Sequence, residues 1–112
     1  MILEVAILNV IPGTEDEFEA AFKQASTIIS TMHGYGSHQI RRCIEHRNRY
    51  ILLVEWATLK DHTVGFRESP DYQQWKQLLH HFYAPIPEVE HYESPIGNAD
   101  GNHLLREKDS LL

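Results

Sequence analysis

The sequence predicts an α+β domain with its elements in the order β-α-β-β-α-β. Three features carry that reading. Runs rich in Ile, Leu and Val at 2–11 and 50–57, with an alternating segment at 37–46, have strand character. Stretches at about 14–32 and 60–82 repeat apolar residues at helical spacing. Gly and Pro punctuate the junctions.

The first strand, 2–11, is apolar on both faces: Leu3, Val5, Ile7 and Ile11 on one, Ile2, Ala6, Leu8 and Val10 on the other. A strand of this kind is covered from both sides. Pro12 and Gly13 end it, and Thr14 with Glu17 three residues on forms a capping box for a helix to about Met32. Phe18, Phe22, Ala25, Ile29 and Met32 mark its buried stripe. "HGYG" at 33–36 stops the helix, and 37–46 places His38, Ile40, Arg42 and Ile44 on one side of a second strand. "HRNR" is a turn before the third strand, 50–57. A short helix over 60–68 is followed by Ser69 as N-cap and Pro70 in the first turn of a helix to about Phe82. Residues 88–93 close the sheet.

This order defines the ferredoxin-like arrangement: one four-stranded antiparallel sheet with both helices on one face. The uncovered face is also apolar, and soluble monomers avoid such patches. A homodimer packed sheet to sheet is therefore expected. Residues 1–95 form the expected domain; 96–112 change character and are expected as a tail, flexible or laid on the partner subunit.

The 112 residues suit one domain. Ten basic against sixteen acidic residues give a net charge of −6, which repels phosphate and argues against nucleic acid. The start, "MILEVAILNVI", has no basic lead and is interrupted by Glu4 and Asn9, so it reads as a strand rather than a signal or membrane segment. A single cysteine, Cys43, fits a reducing, cytoplasmic setting and rules out an internal disulfide or a Cys-rich zinc site; no metal site is expected.

The segments "PGTEDEFEAAF", "HGYGS", "YILLVEWATL", "FRESPDYQQW" and "PEVEHYE" together resemble the antibiotic biosynthesis monooxygenase (ABM) domain family over about residues 2–94. The resemblance implies a dimeric α/β barrel with a pocket between sheet and helices in each protomer. Members differ in chemistry; some oxidise phenolic anthrones with molecular oxygen and no cofactor. The resemblance places Trp56 at the strand tryptophan of that branch's site. It sets His62 in place of a tyrosine, Lys76 of an arginine, Leu52 of an asparagine and Ile40 of a second tyrosine. The positions used by haem-degrading members fall on Ala6, Phe66 and Lys76, so that chemistry is set aside unless His80 or His81 substitutes.

Oxygenation without flavin or metal requires the substrate to supply the electron, best as a phenolate or enolate. The protein then needs a base, a cation or donor for the anion, and a dry cavity. His62 is the first candidate base and His91 the second, with Trp56 beside them. Lys76 is the expected oxyanion anchor, and Phe66, Tyr72 and Leu52 complete the substrate-binding set. The rings of Phe66, Tyr72 and Trp75 are core first; Trp56, His62 and Phe66 are also expected to edge the cavity. The reading is a cofactor-independent monooxygenase of a small electron-rich aromatic, a quinol or phenol. Two alternatives share the fold: a non-catalytic small-molecule binding or stress-response module, and an isomerase or cyclase.

Overall fold

The computed structural model describes residues 1–98, so most of the expected tail lies outside the described residues. Strands β1 (Ile2–Asn9), β2 (Tyr35–Arg42), β3 (Arg49–Trp56) and β4 (Val89–Tyr92) form one antiparallel sheet in the order β2-β3-β1-β4. Helices α1 (Glu15–Ile29) and α2 (Pro70–Leu79) pack on each other and on one face of it, and a π-helical turn at Asp61–Phe66 precedes α2. The predicted ferredoxin-like fold is thus present.

Strand alternation decides what the core is made of. The even-numbered residues Ala6, Leu8, Leu52, Val54 and Trp56 point to the helices and are buried. They meet Phe18, Phe22, Ala25 and Ile29 of α1, and Trp75 and Leu79 of α2. The same alternation turns Glu4 inward, and the register sets it between Val54 on β3 and His91 on β4. On the other face Leu3, Val5 and Ile7 lie beside Ile51 and Leu53; none is buried, and Ile7 is 42% exposed.

Several local expectations are corrected. No capping box forms at α1: Thr14 Oγ1 donates to the Ile11 carbonyl at 2.7 Å, and Glu15, not Glu17, reaches back to accept from the Gly13 amide at 2.9 Å. The helix ends at Ile29 rather than Met32. β2 stops at Arg42, because Cys43 and His46 bond Arg49 to close a loop, and Ile44 is left 81% exposed instead of sharing the strand face. β1 ends at Asn9, and Ile11 projects outward. The cap of α2 is as expected: Ser69 Oγ accepts from the Tyr72 amide at 3.2 Å, with Pro70 in the first turn.

Candidate functional site: a buried Glu-His-His chain

Glu4 and His62 are the two buried polar residues among those described, at 6% and 3% exposed. They meet beneath the π-helical turn. Trp56 Nε1 donates to Glu4 Oε1 at 2.9 Å, His62 Nε2 lies 3.3 Å from the same oxygen, and His62 Nδ1 lies 2.8 Å from His91 Nε2. The indole stacks on the His62 ring, with centroids 5.3 Å apart and planes at 16°. The π-helical turn brings His62 there. Its wide bond from the Arg67 amide to the His62 carbonyl, 3.1 Å, accompanies the inward turn of both His62 and Phe66.

Burial governs the electrostatics. It raises the Glu4 carboxyl above its ordinary range, while the Trp56 hydrogen bond and the nearby Arg67 guanidinium pull it back. Burial first, then Arg67 and His91, push His62 down to about 3, so its ring is neutral at pH 7. His91 is lowered by burial and Arg67. With Glu4 ionised, the neutral His62 ring turns its Nε2–H edge toward the carboxylate at ion-pair distance, and in that tautomer His91 Nε2–H donates to His62 Nδ1. Both nitrogens of His62 are then engaged. Glu4 Oε1 is engaged as well, but among the described residues no side chain bonds its second oxygen.

A cavity of about 60 Å³ opens beside this chain, between sheet and helices. Glu4, His62, Phe66, Leu52 and Tyr72 line it, with Arg67, His80 and Tyr83 as further polar groups. The structure therefore brings His62, Phe66, Tyr72 and Leu52 together as expected. His91 is tied to them through His62 but does not line the cavity. Two placements differ. Trp56, 0% exposed, lies behind Glu4 and His62 and borders no part of the cavity, so it positions rather than touches an occupant. Lys76 is exposed on α2 away from the cavity, whose lining cation is Arg67. Glu4 and Arg67 were not among the expected site residues. The signal for Glu4 was a carboxylate on the inward face of an otherwise apolar strand.

A small sheet-and-helix domain with an acid–histidine cluster in the layer between them is the class that fold and site define. A family model for antibiotic biosynthesis monooxygenase matches residues 1–78, and the chain belongs to that family. It is 55% identical over 93 residues to the uncharacterized protein YczJ of Bacillus subtilis, spanning 83% of this chain and 98% of that one. The crystal structure of a family protein from Bordetella bronchiseptica superposes with a TM-score of 0.81 at 37% identity, covering 85% of this chain and 97% of that one. SnoaB from Streptomyces nogalater, a cofactor-independent oxygenase, shares the fold, with a TM-score of 0.74 at 18% identity over 88% of this chain and 97% of its own. Among the described residues no helix is long and apolar enough to cross a membrane, and no group of three His, Cys, Asp or Glu is placed to hold a metal.

Proposed function

We propose that the protein is a cofactor-independent monooxygenase of a small electron-rich aromatic of the quinol or phenol type. The observation that carries this reading is the Glu4–His62–His91 chain at the wall of a cavity between sheet and helices. The family membership and the shared fold of SnoaB support it. The free oxygen of Glu4 takes the proton of the substrate's phenolic O–H. The resulting phenolate passes one electron to oxygen, the radical pair combines at a ring carbon to a peroxide, and loss of water leaves a quinone. In sum, a phenol O–H, a ring C–H and O₂ give two quinone carbonyls and H₂O, with the proton returned from Glu4. His62 and His91 keep the carboxyl oriented and share the charge, and Arg67 faces the developing anion.

The cavity must widen to admit a ring, since a dry cavity of about 150 Å³ is what holds benzene. Arg67 is exposed and Tyr72 half-buried, so these two can move aside. The functional unit is a cytoplasmic homodimer built from residues 1–95, joined through the open apolar sheet face. Oxygen uptake and product absorbance with a panel of quinols and anthrone-type phenols test the activity. Turnover above background, falling about 10²–10⁴-fold in Glu4→Gln, is the expected result. Turnover that is absent, or indifferent to Glu4→Gln, overturns it.

The small cavity, where Leu52 stands in place of a polar group, favours a second reading: a binding module without chemistry. Saturable ligand binding with no product would establish it. Proton exchange into a ketone without oxygen uptake would point instead to an isomerase or cyclase.

A further inference from the structure

A larger hollow lies elsewhere. A groove of about 450 Å³ runs between α1 and the edge strand β2, on the sheet's helix-facing side. Phe18, Phe22 and Tyr50 form its floor, all buried, with the Phe18 and Tyr50 rings 4.9 Å apart. Ile40 supplies a wall. The rim is cationic. Lys23 comes from α1, Arg42 from β2 and Arg47 from the loop after it, against the single carboxylate of Glu19. Three cations and one carboxylate leave two net positive charges on a chain whose formal charge is −6.

That carboxylate is already occupied. Tyr50 Oη donates to it at 2.6 Å, and Arg42 Nη1 lies 3.5 Å away. Arg42 Nε donates to the Arg47 carbonyl at 2.6 Å, which holds its guanidinium 5.8 Å above the Tyr50 ring. Lys23 and Arg47 are exposed, and neither has an ion-pair partner among the described residues. A buried aromatic floor, its Phe18 ring tilted 50° to Phe22 and 54° to Tyr50, under two unneutralised cations suits a ring that carries its own negative charge. We infer that this groove is a second ligand site, for a planar aromatic carboxylate.

The site is separate from the Glu4 cavity, since the two share no lining residue. It is also independent of the proposed oxygenase activity. Its apolar floor explains why a bare anion is a poor occupant, and its rim why a neutral ring is.

The probe is 2-naphthoate, compared with 2-naphthalenemethanol and with inorganic phosphate, followed by amide chemical shifts and calorimetry on the full chain. The expected result is saturable binding of 2-naphthoate, with shifts at Phe22, Ile40 and Tyr50. The alcohol and phosphate should each bind about tenfold more weakly, the equivalent of about 1.4 kcal/mol. Lys23→Glu combined with Arg47→Glu alters only exposed side chains; it should abolish the preference for naphthoate over the alcohol at unchanged thermal midpoint. Equal binding of naphthoate and alcohol, equal binding of phosphate, or shifts centred on Glu4 and His62 would each overturn the inference. So would no binding at all by a wild-type chain shown to be folded.

Discussion

A histidine buried neutral makes a protein sensitive to acid, and His62 is the case to test. Its pKa is about 3 when folded against an ordinary 6.5. Between those values the unfolded chain holds a proton that the folded chain does not. Stability from this group is therefore complete above pH 6.5 and is lost as pH falls toward 3. Each pH unit within the window costs up to about 1.4 kcal/mol. From pH 7.5 to 4.5 the ideal loss is about 2.7 kcal/mol, and water reaching the ring through the cavity lowers this to about 2. Urea unfolding of wild type and His62→Gln at the two pH values measures it. Gln keeps a donor for Glu4 and removes the titration. His38, His80 and His91 are lowered in the same direction, but they stand in both proteins and cancel. Glu4 works with the opposite sign: its raised pKa makes the folded state bind the proton first, so it adds stability as pH falls. Glu4→Gln should therefore steepen the acid loss, while His62→Gln should reduce it by about 2 kcal/mol. If wild type and His62→Gln lose stability equally, within about 0.5 kcal/mol, the imidazole is not held neutral by its surroundings and the reasoning fails.

Two further outcomes follow from the packing. Gly34 sits at φ +81°, and a methyl group there would overlap the Asp61 side chain, so Gly34→Ala should cost about 2–5 kcal/mol in a denaturant melt. Leu53 faces Val5 across the open sheet face; Leu53→Lys should leave the fold intact and halve the mass seen by light scattering, whereas an unchanged mass would remove that face from the proposed dimer.

What the sequence revealed and what it hid divide along physical lines. Element order was legible because apolar periodicity and Pro/Gly breaks are local, and the Ser69-Pro70 helix start is read from two adjacent residues. Burial of Phe18, Phe22, Ala25 and Ile29 followed from spacing alone. Thr14 and Glu17 misled because a threonine hydroxyl at a helix start can accept from the amide three residues on or donate to a carbonyl behind it, and here it donates to that of Ile11. Lys76 was legible in hindsight: it follows buried Trp75, and one residue turns a helix by 100°, which carries it outward. Arg67 was not legible. It follows a π-helical turn, whose extra residue shifts the phase of everything after it. Glu4 depended on a contact across 52 residues, and the resemblance directed attention to Trp56 instead of to the carboxylate that Trp56 holds.

In the proposed reaction that carboxylate, not the imidazole beside it, is the stronger base of the pair. A base at about 3 facing a phenol near 10 is short by about 7 pK units, or about 9.5 kcal/mol, over half of the roughly 16 kcal/mol barrier that a turnover of about 10 per second allows. Glu4 is shifted the other way, which narrows the gap, and Arg67 lowers the substrate's side of it. Activity must then rise with pH as Glu4 ionises, along a limb lying above the ordinary carboxylate range. Trp56 sets where that limb falls, because its Nε1–H donates to the ionised oxygen and favours the charged form. Trp56→Phe keeps a ring in the stack and removes the donor. Its acid limb should move to higher pH by about one unit, since one hydrogen bond to a charged group is worth about 1.5–3 kcal/mol and part is recovered by water. A profile that stays in place, or moves to lower pH, would mean that the titrating group is not the one the indole touches.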